Sequence, residues 1–395
     1  MKILVVCQYY YPEPFRISDI CEELVCRGHD VTVVTGTPNY PMGEIYPGYE
    51  NGQKTDEVLN GVKVHRCITV PRRTGAINRL RNYFSFPRVS KKYVKTLAND
   101  FNVVLVNQLS PVMMAEAGIW YKKKYNKRLI LYCLDLWPES LCVGGIKKNS
   151  IIYRFFKVWS KRVYQNADDI LITSRSFRGY LKEMFGIADS RIGYLPQYAE
   201  TQFLEVKEKK PAEVFNLLFA GNIGAAQRVD TIIEAARILK DEKVCFHIVG
   251  DGIELENLKK KADGLSNVVF YGRKPLEEML KYYEMADAML VTLTDDSIIS
   301  LTLPGKVQSY MAAGKPIIGA AAGETLLVLR ESQGGYCGRI GDSKAMANNI
   351  LKLMHSGDAV QLGRGNRAFY LNTFSKEKFM DTFLEKLNSA VEESV

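Results

Sequence analysis

Short apolar runs alternate with amphipathic stretches along most of the chain. The run KILVVC is followed by a helical pattern from Ile17 to Arg27, a stop at Gly28 and a second run, DVTVVT. This strand, helix, strand rhythm predicts a parallel sheet with helices on both faces. The rhythm continues through VKVHRC, NVVLVN, RLILYCL and DDILITS, and a second series follows as NLLFAGN, KVCFHIVG, NVVFYG, AMLVTL and KPIIGA. The predicted class is therefore α/β, with two doubly wound domains.

The two series are separated by a charged stretch that contains a proline, TQFLEVKEKKPAEVF, and its composition is typical of a linker. We therefore predict a first domain over residues 1–199, a linker over 200–213 and a second domain over 214–372. The length of 395 residues fits two domains of ordinary size. We expect a cleft between the domains, because ligands of such sheets bind beyond the carboxyl ends of the strands.

Charge and cysteine content restrict the environment and the partners. The chain has 53 basic and 44 acidic residues, a net charge of +9, so a polyanionic or membrane-surface partner is worth testing. The eight cysteines form no CxxC pair, and several lie inside apolar runs, which favours free thiols in a reducing compartment. The amino-terminal apolar run is too short for a signal peptide, and the sequence contains no stretch of about 18 apolar residues. We expect a cytoplasmic protein whose membrane contact is peripheral.

A glycine-rich turn follows the first strand of the second series. In LLFAGNIGAAQRVDTIIEAARIL, strand residues lead into Gly221, Asn222 and Gly224 and then into an amphipathic helix. Glycines at such a turn let backbone N–H groups approach an anion, and the helix amino terminus adds a favourable dipole. Gln227 and Arg228 could add a hydrogen bond and a positive charge. The spacing is neither GxGxxG nor GxxxxGK[ST], so a phosphate cradle and a simple tight turn both stay open.

Two further strand ends carry glycine. Gly250 and Gly252 follow HIV, and Arg273 follows the strand NVVFYG, so these residues should lie side by side at the carboxyl edge of the sheet. Close backbone approach and a guanidinium plane are suited to a nucleotide. As isolated tripeptides they are weak signals, because glycine is common in such turns.

The most informative segment is DDSIISLTLPGKVQSYMAAGKPIIG. Pro304 and Gly305 predict a turn that opens a helix, which places Lys306 in the first helical turn beside exposed amides. A lysine is mildly unfavourable at a helix amino terminus, because its charge opposes the helix dipole. Its position therefore favours a functional role in facing an anion.

These motifs, read in order, resemble a known family. Strand-Gly-Asn-Ile-Gly with VDTIIEAA, then VGDG, GRKPLEEM and PGKVQSYMAAGKPII, is similar to the carboxyl-terminal donor domain of the retaining glycosyltransferases of family 4. The amino-terminal half adds YYYPEPFRISDICEELVCRGHDVTVVT, TPNYPMGEIYPGY and DLWPESL. The resemblance spans nearly the whole chain and is close to the bacterial branch that builds capsules, O-antigens and exopolysaccharides.

The resemblance implies a GT-B fold, in which two Rossmann-like domains hold a nucleotide-sugar, and a helix over 373–395 that packs back on the first domain. Such enzymes transfer a sugar from a nucleoside diphosphate, here a UDP-sugar by family habit, with retention and without metal or cofactor. Preorganised amides and cations would stabilise the charge that the leaving diphosphate gains. With Lys306 as a catalytic group, the implied donor-binding residues are Gly221, Asn222, Gly224, Gln227, Arg228, Gly250, Gly252, Arg273, Pro304, Gly305 and Ser309.

This sequence departs from the family pattern at several of these positions. Many members carry Arg at the position of Asn222 and Lys at that of Gln227, and a pair of Glu at the positions of Leu301 and Ser309. The second Glu usually binds the ribose hydroxyls. A serine cannot make a bidentate carboxylate contact, so Gln308 or Glu324 is a candidate substitute.

In the amino-terminal half, two loops are candidate acceptor sites. The loop from Gln8 to Arg16 follows the first strand, and Arg16 could contact a phosphate or lie on a surface helix. In the loop after the second strand, Asn39 and Tyr40 suit hydroxyl recognition and sugar stacking, although TPNYP could equally be a rigid turn.

A third loop, DLWPE, follows the strand LILYCL. Trp137 beside Asp135 and Glu139 resembles a sugar subsite, in which either acid could orient or deprotonate an acceptor hydroxyl. Many relatives carry a histidine at the position of Leu134. The alternative is that Asp135 caps a helix and Trp137 belongs to the core.

Basic residues are concentrated in the first domain. Residues 72–95 contain eight basic residues and no acid, interleaved with aromatics, which favours an anionic membrane surface. Acceptors in this family are commonly undecaprenyl-diphosphate-linked sugars, which agrees with membrane docking. A second stretch, KKNSIIYRFFKVWSKRV, is basic and amphipathic, and for it we favour core packing with a solvated basic rim over membrane contact.

The leading hypothesis is a retaining glycosyltransferase at the cytosolic membrane face, in cell-surface polysaccharide biosynthesis. The alternatives are a nucleotide-sugar 2-epimerase of the same fold and a non-catalytic nucleotide-sugar-binding scaffold. We expect no nucleic-acid partner, because the sequence has no zinc, RNP-like or helix-turn-helix signature. The four histidines show no metal-ligand spacing, so no metal site is expected.

Overall fold

A computed structural model describes residues 1–73, 75–143, 145–209, 212–296 and 298–393. The chain divides into two compact units. Unit 1 contains Met1–Thr173, Phe177–Leu195 and Met380–Val395, and unit 2 contains Ser174–Ser176 and Pro196–Phe379. Within the described ranges, no helix is long and apolar enough to cross a membrane.

Unit 1 is built on an eight-stranded sheet. Its strands are β1 (Lys2–Val6), β2 (Asp30–Gly36), β3 (Asp56–Leu59), β4 (Val62–Cys67), β5 (Val103–Gln108), β6 (Arg128–Cys133), β7 (Asp169–Ile172) and β8 (Ile192–Tyr194). The order is β3-β4-β2-β1-β5-β6-β7-β8, and all neighbours are parallel except β3 and β4. The helices of this unit are α1 (Ile17–Cys26), α2 (Ala76–Val94), α3 (Glu116–Tyr125), α4 (Ser140–Val143), α5 (Ile151–Asn166) and α6 (Phe177–Phe185).

Unit 2 is built on a six-stranded parallel sheet. Its strands are β9 (Phe215–Ala220), β10 (Val244–Val249), β11 (Val268–Gly272), β12 (Ala288–Thr292), β13 (Ile317–Ala320) and β14 (Gly335–Gly338), in the order β11-β10-β9-β12-β13-β14. This is the strand order of a Rossmann sheet. The helices are α7 (Asp230–Ile238), α8 (Leu255–Lys261), α9 (Met279–Met285), α10 (Gly305–Ala312), α11 (Gly323–Ser332), α12 (Ser343–Ser356), α13 (Ala359–Thr373) and α14 (Lys376–Glu392).

Both faces of the unit 2 sheet are buried, which explains why its strands read as continuous apolar runs. Successive side chains of a strand point to opposite faces. Leu217 and Phe219 of β9 accordingly belong to one apolar cluster, and Leu218 and Ala220 belong to the other. Packing on both faces holds the strands in place, and the loops that follow their carboxyl ends form the candidate site.

The eleven strand runs in the sequence are all strands in the structure, and the predicted α/β class with two doubly wound domains is confirmed. Three short strands, β3, β8 and β14, were not predicted. β3 pairs with β4 across a turn in which Asn60 and Gly61 both have positive φ, an Asn-Gly signal that predicts a hairpin. β8 and β14 are three and four residues long and contain glycine, so only their pairing with β7 and β13 defines them.

Residues 200–213, which we predicted as a linker, lie in unit 2, except that Lys210 and Pro211 are outside the described residues. A short 3-10 helix spans Thr201–Glu205, and Phe203 and Val206 are buried in the unit 2 core. The segment therefore packs as part of the domain. Near the carboxyl terminus, α14 begins in unit 2 and continues from Met380 in unit 1. Two ion pairs hold this last part within unit 1: Arg128 pairs with Glu393, and Arg27 pairs with Asp381.

Candidate functional site

A pocket of about 390 Å³ lies at the carboxyl edge of strands β9, β10 and β11, beside the amino terminus of α10. We call it the carboxyl-edge pocket. It is lined by Glu200, Phe203, Ala220, Gly221, Asn222, Val249, Gly250, Asp251, Arg273, Lys274, Leu276, Met279, Tyr283, Lys306 and Ser309. Six of these were predicted as donor-binding or catalytic residues from the sequence, namely Gly221, Asn222, Gly250, Arg273, Lys306 and Ser309. Segments far apart in the sequence therefore meet at one place.

Two glycines allow the strand ends to approach closely. A Cβ on Gly250 would lie 1.8 Å from the carbonyl oxygen of Gly221, and Gly250 has a φ of +149°. Gly221 has a φ of +144°. Only glycine adopts such conformations without strain. The two loops can thus pack backbone against backbone beside the pocket. The glycines are therefore needed for the fold, whether or not a ligand also requires them.

Lys306 is the central cation of the carboxyl-edge pocket. Its Nζ donates a hydrogen bond to Oε1 of Gln227 at 2.7 Å and lies 3.9 Å from the ring centroid of Phe219. A Cβ on Gly221 would lie 2.8 Å from this Nζ, so the glycine makes room for the amine. Burial lowers the pKa of Lys306 to about 7. A buried amine of this kind gains strongly from an anionic ligand, because such a ligand compensates the loss of hydration.

The Tyr310 side chain of helix α10 is hydrogen-bonded to strand β9. The hydroxyl of Tyr310 accepts a hydrogen bond from the Ala220 amide at 2.9 Å and donates one to the Ala220 carbonyl at 3.1 Å. Pro304 lies at the amino-cap position and provides no side-chain cap, so first-turn amides of Gly305 and Lys306 are left for a ligand. The result is an uncapped helix terminus whose first turn carries the pocket lysine.

The structure places the remaining predicted donor residues outside the pocket lining. Gln227 contacts the pocket residue Lys306, whose Nζ donates a hydrogen bond to the Gln227 side chain. Gly252 packs against the backbone of Ile223, since a Cβ on Gly252 would lie 2.3 Å from the Ile223 carbonyl oxygen. Arg228 and Gly224 line a separate hollow, where Arg228 Nε pairs with Asp230 at 3.0 Å. The structure therefore does not bring Arg228 into the carboxyl-edge pocket, and its predicted contact with an anion stays a prediction.

Ser309 lies in the pocket, whereas the two suggested substitutes for a ribose-binding carboxylate do not. Ser309 Oγ donates to the Gly305 carbonyl at 3.3 Å. Gln308 donates to the carbonyl of Gln197 at 2.7 Å. Glu324 is fully buried and accepts hydrogen bonds from Arg175 and Ser176. The suggestion that Gln308 or Glu324 replaces that carboxylate is wrong, since both side chains are committed elsewhere.

In unit 1, the loop after β2 uses its polar groups internally. Asn39 is buried, and its side chain donates to the Thr37 carbonyl at 2.8 Å and accepts from the Arg72 amide at 2.8 Å. Glu13 accepts from the amides of Tyr10, Asn39 and Tyr40. Burial raises the pKa of Glu13 to about 7, while these three amides act in the opposite direction. The prediction of Asn39 as an acceptor-binding residue is corrected, because its amide is already satisfied within the loop.

The neighbouring Tyr40 is half-buried, and its ring packs against Tyr9 and Phe15 at centroid distances of 5.7 and 5.0 Å. Arg16 is half-buried at the amino-cap position of α1. Both therefore lie at the carboxyl edge of the unit 1 sheet, and their predicted acceptor contacts stay predictions.

The loop after β6 gives a similar correction. Trp137 is fully buried, its Nε1 donates to Ser110 Oγ at 2.7 Å, and its ring meets Tyr83 and Phe156 edge-on. A sugar cannot stack on a ring that has no exposed face. The acceptor-binding role predicted for Trp137 is therefore wrong, and the core alternative is the correct one.

The two acids of this loop differ. Glu139 is 1% exposed, and it accepts from the hydroxyls of Tyr153 at 2.7 Å and Tyr180 at 3.2 Å and pairs with Lys148 at 3.1 Å. Its predicted catalytic role is corrected, because these partners bury the carboxylate. Asp135 is half-buried, burial raises its pKa, and it caps no described helix, since α4 begins at Ser140. Asp135 stays a candidate.

Comparisons with known proteins identify the family of this chain. Residues 214–356 match the model of "Glycosyl transferases group 1", and residues 15–197 match that of a "Glycosyl transferase 4-like domain". The two matches together cover most of both units. The chain belongs to the glycosyltransferases.

Two bacterial relatives of this glycosyltransferase cover most of its length. WbjE of Pseudomonas aeruginosa, a glycosyltransferase by name, is 27% identical over 307 residues, which are 74% of this chain and 76% of WbjE. WcaI of Escherichia coli K12, a glycosyl transferase named for colanic acid biosynthesis, is 26% identical over 336 residues, 80% of this chain and 82% of WcaI.

Among solved structures, Anabaena Alr3699/HepE in complex with UDP aligns with a TM-score of 0.72 and 14% identity, over 98% of this chain and 100% of that chain. At this identity the likeness shows the fold, and the fold of this glycosyltransferase is GT-B. The GT-B prediction from sequence is confirmed.

Sequence reasoning missed part of the pocket lining. Glu200 and Phe203 lie in the stretch interpreted as a linker, and Leu276, Met279 and Tyr283 lie around the start of α9. An aromatic residue within a charged stretch is a signal that the segment packs against something, and Phe203 indeed stacks on Tyr283 at 4.4 Å. The other apolar residues carry no local signal, because only the packing of α9 beside β9 brings them to the pocket.

The two basic segments of the glycosyltransferase form neighbouring helices, α2 and α5. Of the eight basic residues in 72–95, Arg72 and Lys91 are half-buried and the other six are exposed; Thr74 lies outside the described residues. On α5, Ile151 is 85% and Val158 is 72% exposed. The favoured prediction of core packing for the second stretch is therefore wrong for its outer face, although Phe156 is buried.

The exposed apolar side chains of the two helices form one surface, because Phe84 of α2 lies 5.7 Å from the ring of Trp159 on α5. We call it the α2–α5 face, and its exposed apolar residues are Ile77, Leu80, Phe84, Ile151, Ile152, Phe155 and Val158. The same two helices also carry exposed basic residues, including Arg79, Arg81 and Arg154.

Proposed function

We propose that this glycosyltransferase moves a sugar from a UDP-sugar to a lipid-linked saccharide, with retention of anomeric configuration and without a metal ion. The observation that carries the proposal is the position of Lys306, a half-buried lysine in the first turn of an uncapped helix, whose amine lies next to Gly221. Two features support the donor assignment: the carboxyl-edge pocket suits a nucleoside diphosphate, and the HepE structure, which shares this fold, contains UDP.

The chemical role of the pocket follows from charge development. As the sugar leaves, negative charge grows on the diphosphate, and amides and cations fixed in advance stabilise it without reorganising. Lys306 and the amides at the start of α10 are such groups. Arg273 and Lys274 add two more cations at the pocket wall. The arrangement can therefore stabilise a leaving diphosphate with protein groups alone.

The acceptor and the pathway are proposed from two observations. The relatives include a glycosyl transferase named for colanic acid biosynthesis, which supports a role in cell-surface polysaccharide synthesis. The α2–α5 face supports an acceptor that lies in a membrane, since an apolar surface on helices that also carry exposed basic residues suits an anionic bilayer. We therefore propose an undecaprenyl-diphosphate-linked sugar as the acceptor and a peripheral position at the cytosolic face of the membrane.

The donor is tested by calorimetric titration with a panel of UDP-, GDP- and ADP-sugars, followed by product analysis with lipid-linked acceptors. The proposal expects a UDP-sugar to bind and the product linkage to retain the anomeric configuration, as read by NMR. Binding of no nucleotide-sugar would favour the scaffold alternative. Conversion of a UDP-sugar to its 2-epimer without any acceptor would favour the epimerase.

Metal independence is tested in the same assay. Turnover should be unchanged after dialysis against EDTA, because the proposed stabilising groups are two lysines, one arginine and backbone amides. A strict requirement for Mn²⁺ or Mg²⁺ would contradict this part of the proposal.

Membrane docking is tested by sedimentation with vesicles containing phosphatidylglycerol. Replacing Ile151 and Phe155 with serine should weaken binding, because both side chains are exposed on the α2–α5 face. Val58, which is exposed on the edge strand β3, provides a matched control as Val58→Ser. Equal sedimentation of wild type and the double variant at low salt would contradict docking through this face.

A further inference from the structure

The carboxyl-edge pocket is lined by a carboxylate, Glu200, that was not predicted from the sequence as a site residue. Glu200 lies in the stretch between the two series of strands, yet it lines the pocket together with Ser309 and Tyr283. The family resemblance implies a ribose-binding Glu at the position that is Ser309 in this chain. The pocket therefore has a serine on α10 where the resemblance implies a carboxylate, and it has the carboxylate of Glu200 on another segment.

Several contacts fix Glu200 at this place. It directly precedes the 3-10 helix Thr201–Glu205, and its carbonyl accepts a hydrogen bond from the Phe203 amide at 3.1 Å. The ring of Phe203 stacks on Tyr283, and Gln202 Nε2 donates to the Leu276 carbonyl at 2.7 Å. These two contacts join the short helix to the pocket residues Tyr283 and Leu276, so the segment that contains Glu200 is held by packing as well as by its own chain.

Helix α10 provides the second anchor. Gln308, the neighbour of Ser309, donates to the carbonyl of Gln197 at 2.7 Å, three residues before Glu200. The amide of Ala199 donates to the hydroxyl of Tyr370 at 3.1 Å. Gln308 therefore does not replace the missing carboxylate; it holds the segment that carries Glu200 against α10.

Ser309 and Glu200 converge on the same tyrosine. Burial raises the pKa of Tyr283, with smaller contributions from the charges of Tyr310 and Glu200, and the Ser309 side chain hydrogen-bonds to Tyr283. The other carboxylate of the lining, Asp251, accepts a hydrogen bond from the Gly252 amide at 2.8 Å within its own turn. Of the two carboxylates in the pocket lining, Glu200 is therefore the one whose charge acts on the tyrosine that Ser309 contacts.

We propose that Glu200 binds the ribose hydroxyls of the donor nucleotide. This inference rests on the proposed function, since it assumes that the carboxyl-edge pocket holds a nucleoside diphosphate. A carboxylate accepts hydrogen bonds from two neighbouring hydroxyls at once, which the single hydroxyl of Ser309 does not. The ribose contact thus lies on the segment 197–200 and not on α10, and Gln308 of α10 is hydrogen-bonded to this segment.

The test compares binding of UDP and of 2′,3′-dideoxyuridine diphosphate by calorimetry in wild type, Glu200→Gln and Glu205→Gln. Wild type should bind UDP about 10-fold or more tightly than the dideoxy compound, because a hydrogen bond to a charged group typically contributes about that factor. Glu200→Gln should lose most of this preference by weakening UDP alone. Glu205 carries the same substitution on the same short helix but lies outside the pocket lining, so Glu205→Gln should keep the wild-type preference.

Two failures are distinguishable. If wild type discriminates and Glu200→Gln discriminates equally, the assignment of Glu200 is overturned while the proposed function stands. If wild type binds neither compound, the proposed function is overturned, and the assignment falls with it. Circular dichroism of the variants confirms that a lost preference is not lost folding.

Discussion

The two sheets share a Rossmann core but differ at their carboxyl edges. In unit 2, polar and charged side chains predicted from the sequence, such as Arg273 and Lys306, line an open pocket. In unit 1, the corresponding side chains Asn39, Trp137 and Glu139 are buried and bonded to their own surroundings. A polar residue just after a strand is therefore a candidate, and whether it is available depends on what else its loop contains.

The difference has a physical cause in loop composition. The loops of unit 2 that form the pocket contain glycine, so backbone meets backbone, as at Gly221 and Gly250, and little side-chain volume must be buried. The loops of unit 1 contain Tyr, Phe, Trp and Pro. Burying such rings brings the neighbouring polar groups inside, where each must find a partner or lose free energy. Asn39 and Glu139 form hydrogen bonds with other residues of the protein.

The largest expected effect comes from closing the gap between the glycine loops. Gly250→Ala places a Cβ 1.8 Å from the Gly221 carbonyl at a φ of +149°, so it should lower the free energy of unfolding by about 3 kcal/mol or more and abolish donor binding. Gly264 also has a positive φ, +76°, but its Cβ would meet nothing within 4 Å. Gly264→Ala should cost only about 1 kcal/mol. Equal losses in chemical denaturation would show that close packing is not what the pocket glycines provide.

The next effect separates catalysis from stability. Lys306→Met should reduce kcat by about 10²- to 10³-fold, the usual cost of removing one preorganised charge-stabilising group, with little loss of stability. Lys315 is a buried lysine of unit 2 whose Nζ donates to the Ala286 carbonyl at 2.7 Å, and it lies outside the carboxyl-edge pocket. Lys315→Met should change stability and leave kcat nearly unchanged. Wild-type turnover in Lys306→Met at saturating donor would remove Lys306 from the mechanism.

Unit 1 should respond in the opposite way. Glu139→Leu leaves the Tyr153 and Tyr180 hydroxyls and Lys148 without their acceptor, so it should lower the free energy of unfolding by about 2 kcal/mol. Its kcat should stay within about threefold of wild type, since this carboxylate is buried. Asp135→Asn, four residues earlier, should instead reduce kcat/KM for the acceptor with little change in stability. A large kcat loss in Glu139→Leu with unchanged unfolding would restore Glu139 as a catalytic residue.

The smallest effect is a pH dependence confined to unit 2. Because the pKa of Lys306 in the free protein is lowered from 10.5 to about 7, donor binding must add a proton above pH 7, and affinity should fall by up to tenfold per pH unit there. The free energy of unfolding of the free protein has the opposite pH dependence. Below about pH 7 the buried charge of Lys306 lowers this free energy by its full amount, and the loss decreases as the pH rises toward 10.5. Calorimetry from pH 7 to 9 should show the slope in wild type and lose it in Lys306→Met. A slope that persists in the variant would assign it to another group.

Much of the site could be predicted from sequence, and particular residues show why. Pro304 and Gly305 open α10, so Lys306 had to lie in a first helical turn, and three glycine turns had to meet at one sheet edge. Glu200 could not be found, since its stretch is charged and its place depends on Phe203 stacking on Tyr283 and on Gln308 bonding to Gln197. Arg228 lines a different hollow from the carboxyl-edge pocket, where it pairs with Asp230, two residues further along the chain.

The sequence alone determined the α/β class, the two doubly wound series, the family and the glycine and lysine positions of the pocket, because these depend on short-range periodicity and on residues fixed by turn geometry. The tertiary structure decided which polar side chains are free to act. Hydrogen-bond partners and burial are set by segments distant in sequence. Tyr153 and Tyr180 bond to Glu139, and Gln308 of α10 bonds to Gln197 in the segment that contains Glu200. Local pattern places a residue, and long-range packing decides whether it can bind a ligand.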